Sequence, residues 1–448
     1  PTMSIASSWA STFTRGAPWG SRLACLRMAS AGRRSLSDGV GTVSVKGGEP
    51  WRASGHMKSS DAIVVPLVQT AAYTFKDSQQ LIDFNEGTYE SYEYGRYGNP
   101  TVRAVELKMM ELEGAEDALA SASGMYTAVS MMMALLPENS RIITTTDCYR
   151  RTRQFLNTVI NKMGVQNVVI PPGDLDALER EVAKGAAMFF AESPTNPTLR
   201  CVDIPAVSAI CRKHGTILCI DGTFSTPVNQ RPLDLGADVV IHAATKYLAG
   251  HHDVVAGVMA GKKELVQKVR DLHGVLGGVL DPHAGFLLLR GLKTLHLRVA
   301  QQNKTAEALA RLLHVHPMVK RTIYPSLPDH PDHGFAMLQA KGFGGVVSFE
   351  LHGGLHAGAQ FTDSLRIPHI APSLGGCDSL VEQPTIISYW NVPPAERDAY
   401  GIKDGLIRYA CGVEDTADLL ADVVQALNKI ELGKQYLKDS HEAWCIKE

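Results

Sequence analysis

A chain of 448 residues, 45% hydrophobic and 20% charged, is long enough for two or three structural units and has the make-up of an ordinary globular protein. Its net charge of -2 offers no basic surface for nucleic acid or anionic lipid, and no apolar run approaches the roughly 18 residues of a membrane span. The eight cysteines are scattered without a CxxC pair, so neither a zinc site nor a disulfide framework is expected.

Residues 1–37 contain no Asp or Glu, while Arg15, Arg22, Arg27, Arg33 and Arg34 sit among serines and alanines. That composition predicts an organellar transit peptide over 1–39, and the lack of a long apolar core argues against a secretory signal. A disordered basic tail would have the same make-up. Residues 40–100 mix Gly, Ser and aromatics without sustained helical periodicity and read as an extended N-terminal arm. From 101 to 119 apolar residues recur at helical spacing (Val105, Leu107, Met109, Leu112), and 115–136 continues in small, apolar style. Strands are predicted at 141–145, 166–170, 187–191, 216–220 and 238–241, with amphipathic stretches at 174–184 and 204–214 between them. Alternation at this period predicts an α/β domain over 101–290, its mostly parallel sheet covered by helices on both faces. A helical run at 293–313 leads into a smaller part over 291–433, with strands at 345–351 and 406–411, followed by a charged tail at 434–448.

Open α/β sheets hold ligands outside the carboxyl ends of their strands. Those tips carry Tyr149, Asn196, Asp221 and Lys246: an aromatic, an amide, a carboxylate and an amine on one rim. Taken singly, each is also an ordinary turn or cap residue. Together they suit pyridoxal 5′-phosphate (PLP). Lys246 would carry the cofactor covalently and later move the substrate Cα proton, and Asp221 would keep the pyridinium nitrogen protonated. Tyr149 would stack on the ring, and Asn196 would hydrogen-bond its hydroxyl. Ser121-Ala122-Ser123-Gly124-Met125 opens a helix-like segment whose first amides suit a phosphate, with Gly124 permitting close approach. Arg408 interrupts an apolar strand; it fits a substrate α-carboxylate bidentately, and an edge-strand charge would look the same. His251-His252-Asp253 and His330-Pro331-Asp332-His333 lack metal-site spacing, so no metal is expected, and Gly261-Lys262-Lys263 lacks the pattern of a P-loop.

Several ordered stretches resemble one family. They are Tyr94-Gly95-Arg96-Tyr97-Gly98-Asn99-Pro100-Thr101, Ala122-Ser123-Gly124-Met125, Thr144-Thr145-Thr146-Asp147-Cys148-Tyr149-Arg150 and Glu192-Ser193-Pro194-Thr195-Asn196-Pro197. Asp221-Gly222-Thr223-Phe224, Ala244-Thr245-Lys246 and Arg290-Gly291-Leu292-Lys293-Thr294-Leu295 complete them. From about residue 40 to about 430 the chain resembles the Cys/Met-metabolism PLP enzymes, and within them the plant-type cystathionine γ-synthases. The resemblance implies the PLP-dependent transferase fold type I, with a mostly parallel seven-stranded sheet and a smaller α+β C-terminal domain. It also implies a homotetramer of active dimers, in which Tyr94 and Arg96 reach the neighbouring subunit's cofactor phosphate. Lys246, Tyr149 and Asp221 would be catalytic. Gly124, Met125, Thr245 and Asn196 would bind the cofactor, and Arg408, Ser373 and Asn196 the substrate. Many relatives place serine three positions before the lysine, where this chain has Ala243, so somewhat weaker cofactor retention is expected.

The implied reaction joins an activated homoserine to L-cysteine, forming L-cystathionine for methionine biosynthesis. Ile370-Ala371-Pro372-Ser373-Leu374-Gly375-Gly376-Cys377-Asp378-Ser379 and Ser388-Tyr389-Trp390 look like the plant synthases; many lyases and bacterial synthases carry Glu where Pro372 stands, and methionine γ-lyases typically have cysteine where Arg151 stands. The plant likeness points to O-phosphohomoserine, whose phosphate the cluster Arg150, Arg151 and Arg153 would suit, and to the plastid. A cystathionine γ-lyase, an O-acyl-homoserine sulfhydrylase and a PLP-binding scaffold without catalysis are the alternatives.

Overall fold

The computed structural model describes residues 39–48 and 62–431. The leader before Gly39 and the charged tail fall outside the described residues. Seven strands form the first sheet: β1 (Asp117–Ser121), β2 (Arg141–Thr145), β3 (Gln166–Ile170), β4 (Met188–Glu192), β5 (Ile217–Asp221), β6 (Val239–His242) and β7 (Gly257–Gly261), in the order β1-β7-β6-β5-β4-β2-β3. Strands β3, β2, β4, β5 and β6 run parallel, while β7 is antiparallel to both of its neighbours. The mostly parallel α/β sheet is therefore as expected.

Successive side chains of these strands feed opposite cores, because strand side chains alternate in direction. Ile142, Met188, Phe190, Cys219 and Ile241 pack on one face with Met131 and Leu156, whereas Ile143, Phe189, Ala191, Leu218 and Ile220 pack on the other with Leu178 and Val207. Burial on both faces explains why the strands read as near-continuous apolar runs.

Two strands of this sheet were not foreseen. Residues 117–121 lie in a stretch whose Ala and Leu favour helix, yet the helix Pro100–Glu113 ends at Gly114, which takes the left-handed conformation (φ 68°). Residues 117–121 then pair along their length with β7, itself glycine-bounded and completely buried, so neither strand shows alternation. The arm also departs from its extended reading, with short helices at Val40–Lys46 and Ser78–Asn85. Asp77 caps the second by accepting the Gln80 amide at 2.9 Å, and eight residues are too few to show periodicity.

A second sheet contains β8 (Val319–Ile323), β9 (Val346–Leu351), β10 (His369–Ile370), β11 (Leu380–Glu382) and β12 (Leu406–Ala410), in the order β10-β11-β12-β9-β8. All its pairings are antiparallel except β10 with β11. The 21-residue helix Leu295–Val315 packs on β8 and β9, and its buried Leu309, Ala310 and Leu313 join the core that also holds Tyr247 and Leu248 of the first unit.

Candidate active site

Parallel strands β4 and β5 set Glu192 directly beside Asp221. Burial raises the proton affinity of both carboxyls, and that of Glu192 is raised well above the usual range, with Asp221 the next cause. The two are not equivalent. Asp221 Oδ1 accepts the Thr223 amide at 2.9 Å and the Thr223 hydroxyl at 2.5 Å, donors that favour its ionised form. Glu192 accepts the backbone amide of Tyr149 and is also bonded by the Asn196 backbone, so it takes the proton first. Asp221 is left the more acidic of the two, and Glu192 ties together the backbones of Tyr149 and Asn196. The motif reading contained Glu192 but gave it no role; the signal was a carboxylate at a strand end, one strand away from Asp221.

Lys246 follows β6 on the same rim, and its Nζ donates to Ser373 Oγ at 3.0 Å. Burial, then the nearby Arg408 guanidinium, push its amine down to about 8, against the opposing pull of Glu382. A lysine so shifted is available as a nucleophile near neutral pH. Ser373 lies 127 residues away and reaches Lys246 because its loop docks tightly on the first unit. Gly375 takes a φ of 78°, and a Cβ there would lie 2.8 Å from the Tyr247 backbone nitrogen. The Cys377 amide donates to Gly250 O at 2.9 Å, and Gln302 Nε2 holds Gly376 O at 2.8 Å.

Arg408 stands in the middle of β12 and is buried, which excludes the edge-strand reading: β11 and β9 flank it on either side. Its Nη1 donates to Asn196 Oδ1 at 3.2 Å and Nη2 to Ser373 O at 2.7 Å. Glu382, which sequence reasoning missed, pairs with Nη1 at 2.9 Å. Asn196, Ser373, Lys246 and Arg408 thus form one connected cluster.

The helix Gly124–Leu135 begins beside the segment that leads to Lys246. Ser123 caps it by accepting the Tyr126 amide at 3.0 Å, and the Gly124 and Met125 amides, in the first turn, have no intrahelical acceptor. A Cβ on Gly124 would lie 2.7 Å from the Ala243 methyl carbon, so only glycine brings this helix so close to the segment leading to Lys246. Thr245 sits beside that segment; its hydroxyl receives the Ala256 amide at 3.0 Å and has its own proton to direct to Ala256 O or to a ligand. Tyr149 is 42% exposed, which leaves its ring open for stacking. The residues present therefore fit PLP: a depressed buried amine, a carboxylate with two donors that favour its ionised form, a helix N-terminus and an open aromatic face.

Tyr94 and Arg96 are placed differently. The Arg96 guanidinium donates to Gly274 O at 3.1 Å and lies 5.3 Å from the Tyr94 ring and 4.8 Å from that of Tyr97, so among the described residues its hydrogen bonds go to Gly274 and Tyr97 rather than to the Lys246 cluster. Of the arginine cluster, Arg153 is committed, donating to Thr146 O at 2.9 Å and covering the Tyr400 ring at 3.8 Å, and Arg151 bonds Gln154 at 2.8 Å. Arg150 is exposed at the start of its helix.

The Ala243 position is directly testable. Restoring a hydroxyl with Ala243→Ser is expected to slow PLP loss on dialysis about two- to tenfold, the worth of one neutral hydrogen bond of about 0.5–1.5 kcal/mol. An unchanged loss rate would mean that the Gly124 contact forbids the hydroxyl a productive direction.

The chain is similar over nearly its whole length to characterised proteins. Chloroplastic cystathionine gamma-synthase 1 of Arabidopsis thaliana is 52% identical over 399 residues, covering 89% of this chain and 70% of that protein. L-methionine gamma-lyase of Pseudomonas putida is 40% identical, covering 82% of this chain and 92% of that protein. The crystal structure of metB from Corynebacterium glutamicum superimposes with a TM-score of 0.81 at 32% identity, covering 88% of this chain and 99% of that one. The family model for Cys/Met metabolism PLP-dependent enzymes matches residues 46–428, and the chain belongs to that family.

Proposed function

We propose that this enzyme joins an activated homoserine, O-phosphohomoserine, to L-cysteine by γ-replacement, releasing L-cystathionine in methionine biosynthesis. The observation that carries this reading is the meeting of Lys246 and Arg408 at Ser373, which contacts the amine through Oγ and the guanidinium through its carbonyl. An amino acid whose α-carboxylate lies on Arg408 would hold its Cα close to the Lys246 amine. PLP, when bound, supplies the electron sink that makes protons at Cα and Cβ removable. Lys246 carries those protons, Asp221 keeps the ring nitrogen charged, Tyr149 covers the ring face, and Asn196 and Ser373 orient both cofactor and substrate. Among the alternatives, the synthase is favoured over a γ-lyase by the higher identity to the plant synthase, and the retained Lys246, Asp221 and Tyr149 argue against a scaffold.

The donor's γ-phosphate would be met by the exposed Arg150, since Arg153 is held by Thr146 and Tyr400. Tyr94 and Arg96, whose guanidinium is bonded to Gly274 O, suit a phosphate contact across a subunit boundary, within a homotetramer of active dimers. The unit boundary is placed near residue 290, before the helix that leads to the second sheet. Plastid location follows from the acid-free, arginine- and serine-rich leader together with the chloroplastic relative.

Incubating the holoenzyme with cysteine and, separately, phospho-, succinyl- and acetyl-homoserine is expected to give cystathionine fastest from the phospho-ester. Release of 2-oxobutyrate and cysteine from cystathionine at a higher rate than synthesis would instead make it a lyase. Equal rates with all three esters would remove Arg150 from the donor site.

A further inference from the structure

Strands β11 and β12 place Glu382 opposite Arg408 in register, and Oε1 lies 2.9 Å from Nη1. Both side chains are almost completely buried, with exposures of 4% and 5%. Nη1 is shared between Glu382 and Asn196, and Nη2 is bonded to Ser373 O, but Nε is buried without a partner. We propose that Glu382 is a positioning residue that keeps Arg408 neutralised while the substrate is absent, and so sets how tightly the site holds an α-carboxylate. This rests on the reading of Arg408 as the carboxylate anchor.

The geometry separates two edges of one guanidinium. Glu382 pairs with Nη1 and Asn196 accepts from it, which engages that end of the guanidinium and leaves Nε and the second proton of Nη2 as the donors for an incoming carboxylate. The substrate carboxylate and Glu382 then share a single cation in a place that water does not reach. Their repulsion there is strong enough to hold carboxylate affinity down by on the order of ten- to a hundredfold. The product carries the same carboxylate, so the same repulsion speeds its departure. Glu382 also acts on Lys246 with a sign opposite to that of Arg408, so the pair leaves the amine far less perturbed than a lone guanidinium would. A purely structural ion pair would explain the 2.9 Å contact but not a buried Nε left without a partner.

The test uses holoenzyme and propionate, a carboxylate without an amine. Glu382→Gln keeps an acceptor for Nη1 and removes only the charge. It is expected to bind propionate at least about tenfold more tightly than the wild type by calorimetry, and to lower both the donor KM and kcat as release slows. Glu382→Asp, whose carboxylate draws back from Nη1, is expected to tighten propionate binding about two- to threefold, and it decides the matter should the Gln variant fail to fold. Propionate affinity that is unchanged or weaker in the variant that folds overturns the proposal. Failure of the anchor itself is read separately: if Arg408→Met leaves propionate binding as in the wild type, Arg408 does not hold the carboxylate, whatever the Glu382 variants do.

Discussion

Lys246→Ala protein is expected to lose the visible absorption of lysine-bound PLP and its fixation by borohydride, and to make cystathionine about a thousandfold more slowly. The size follows from the removal of both the covalent tether and the proton carrier, since a positioned acid–base group contributes roughly 10²–10⁴-fold. Loss of its bond to Ser373 is a minor part, because that contact joins a neutral hydroxyl to the amine. The same amine predicts a pH dependence. With Lys246 pushed down to about 8, capture of PLP by the cofactor-free protein should rise through that pH and level off above it. The unfolded chain, with an ordinary lysine near 10.4, binds more protons between the two values. The buried amine therefore lowers the stability of the cofactor-free protein by its full amount below about pH 8, and the penalty disappears toward the unfolded value. A capture rate flat from pH 7 to 9, or full borohydride fixation in the alanine variant, would remove Lys246 from the centre of the site.

The second large effect is expected from Arg408→Met. The substitution keeps approximate length but leaves Glu382 buried without its cation, and breaking a buried pair in this way costs about 3–5 kcal/mol. Donor KM should rise on the order of a hundredfold as the bidentate anchor is lost. Burial already raises the Glu382 carboxyl, and only Arg408, followed by Lys246, holds it down. In the variant Glu382 should thus remain protonated to higher pH than in the unfolded chain. The folded state then binds the extra proton, so the variant's stability is retained below the unfolded carboxyl pKa and lost as pH rises through the folded one. Urea melts at pH 5 and pH 8 should show the larger deficit at pH 8; equal deficits would mean that Glu382 finds another partner.

Much of this site was legible in the chain. Tyr149, Asn196, Asp221 and Lys246 could be grouped because parallel strands deliver their ends to one rim, and apolar runs mark where such strands lie. Gly124 and Met125 were readable from the helix start they open. Strands β1 and β7 were not, because Asp117-Ala118-Leu119-Ala120-Ser121 shows its strand character only once paired with Gly257–Gly261. The short helices of the arm escaped for a related reason: a cap such as Asp77 decides them, and too few residues follow to set a period.

The residue types at the strand tips and their order pointed to a PLP site, and the likeness of the ordered motifs to a known family supplied the chemistry it serves. Only the tertiary structure decided how that chemistry is wired. Ser373 meets Lys246 across 127 positions because Gly375 lets its loop lie against Tyr247. Glu192 takes the proton that Asp221 must not, because adjacent parallel strands bring the two carboxylates together. Glu382 neutralises Arg408 because antiparallel register sets them opposite. Covalent chemistry is a property of residue type and can be read along a chain, whereas proton affinity and charge balance depend on burial and on neighbours that only folding supplies.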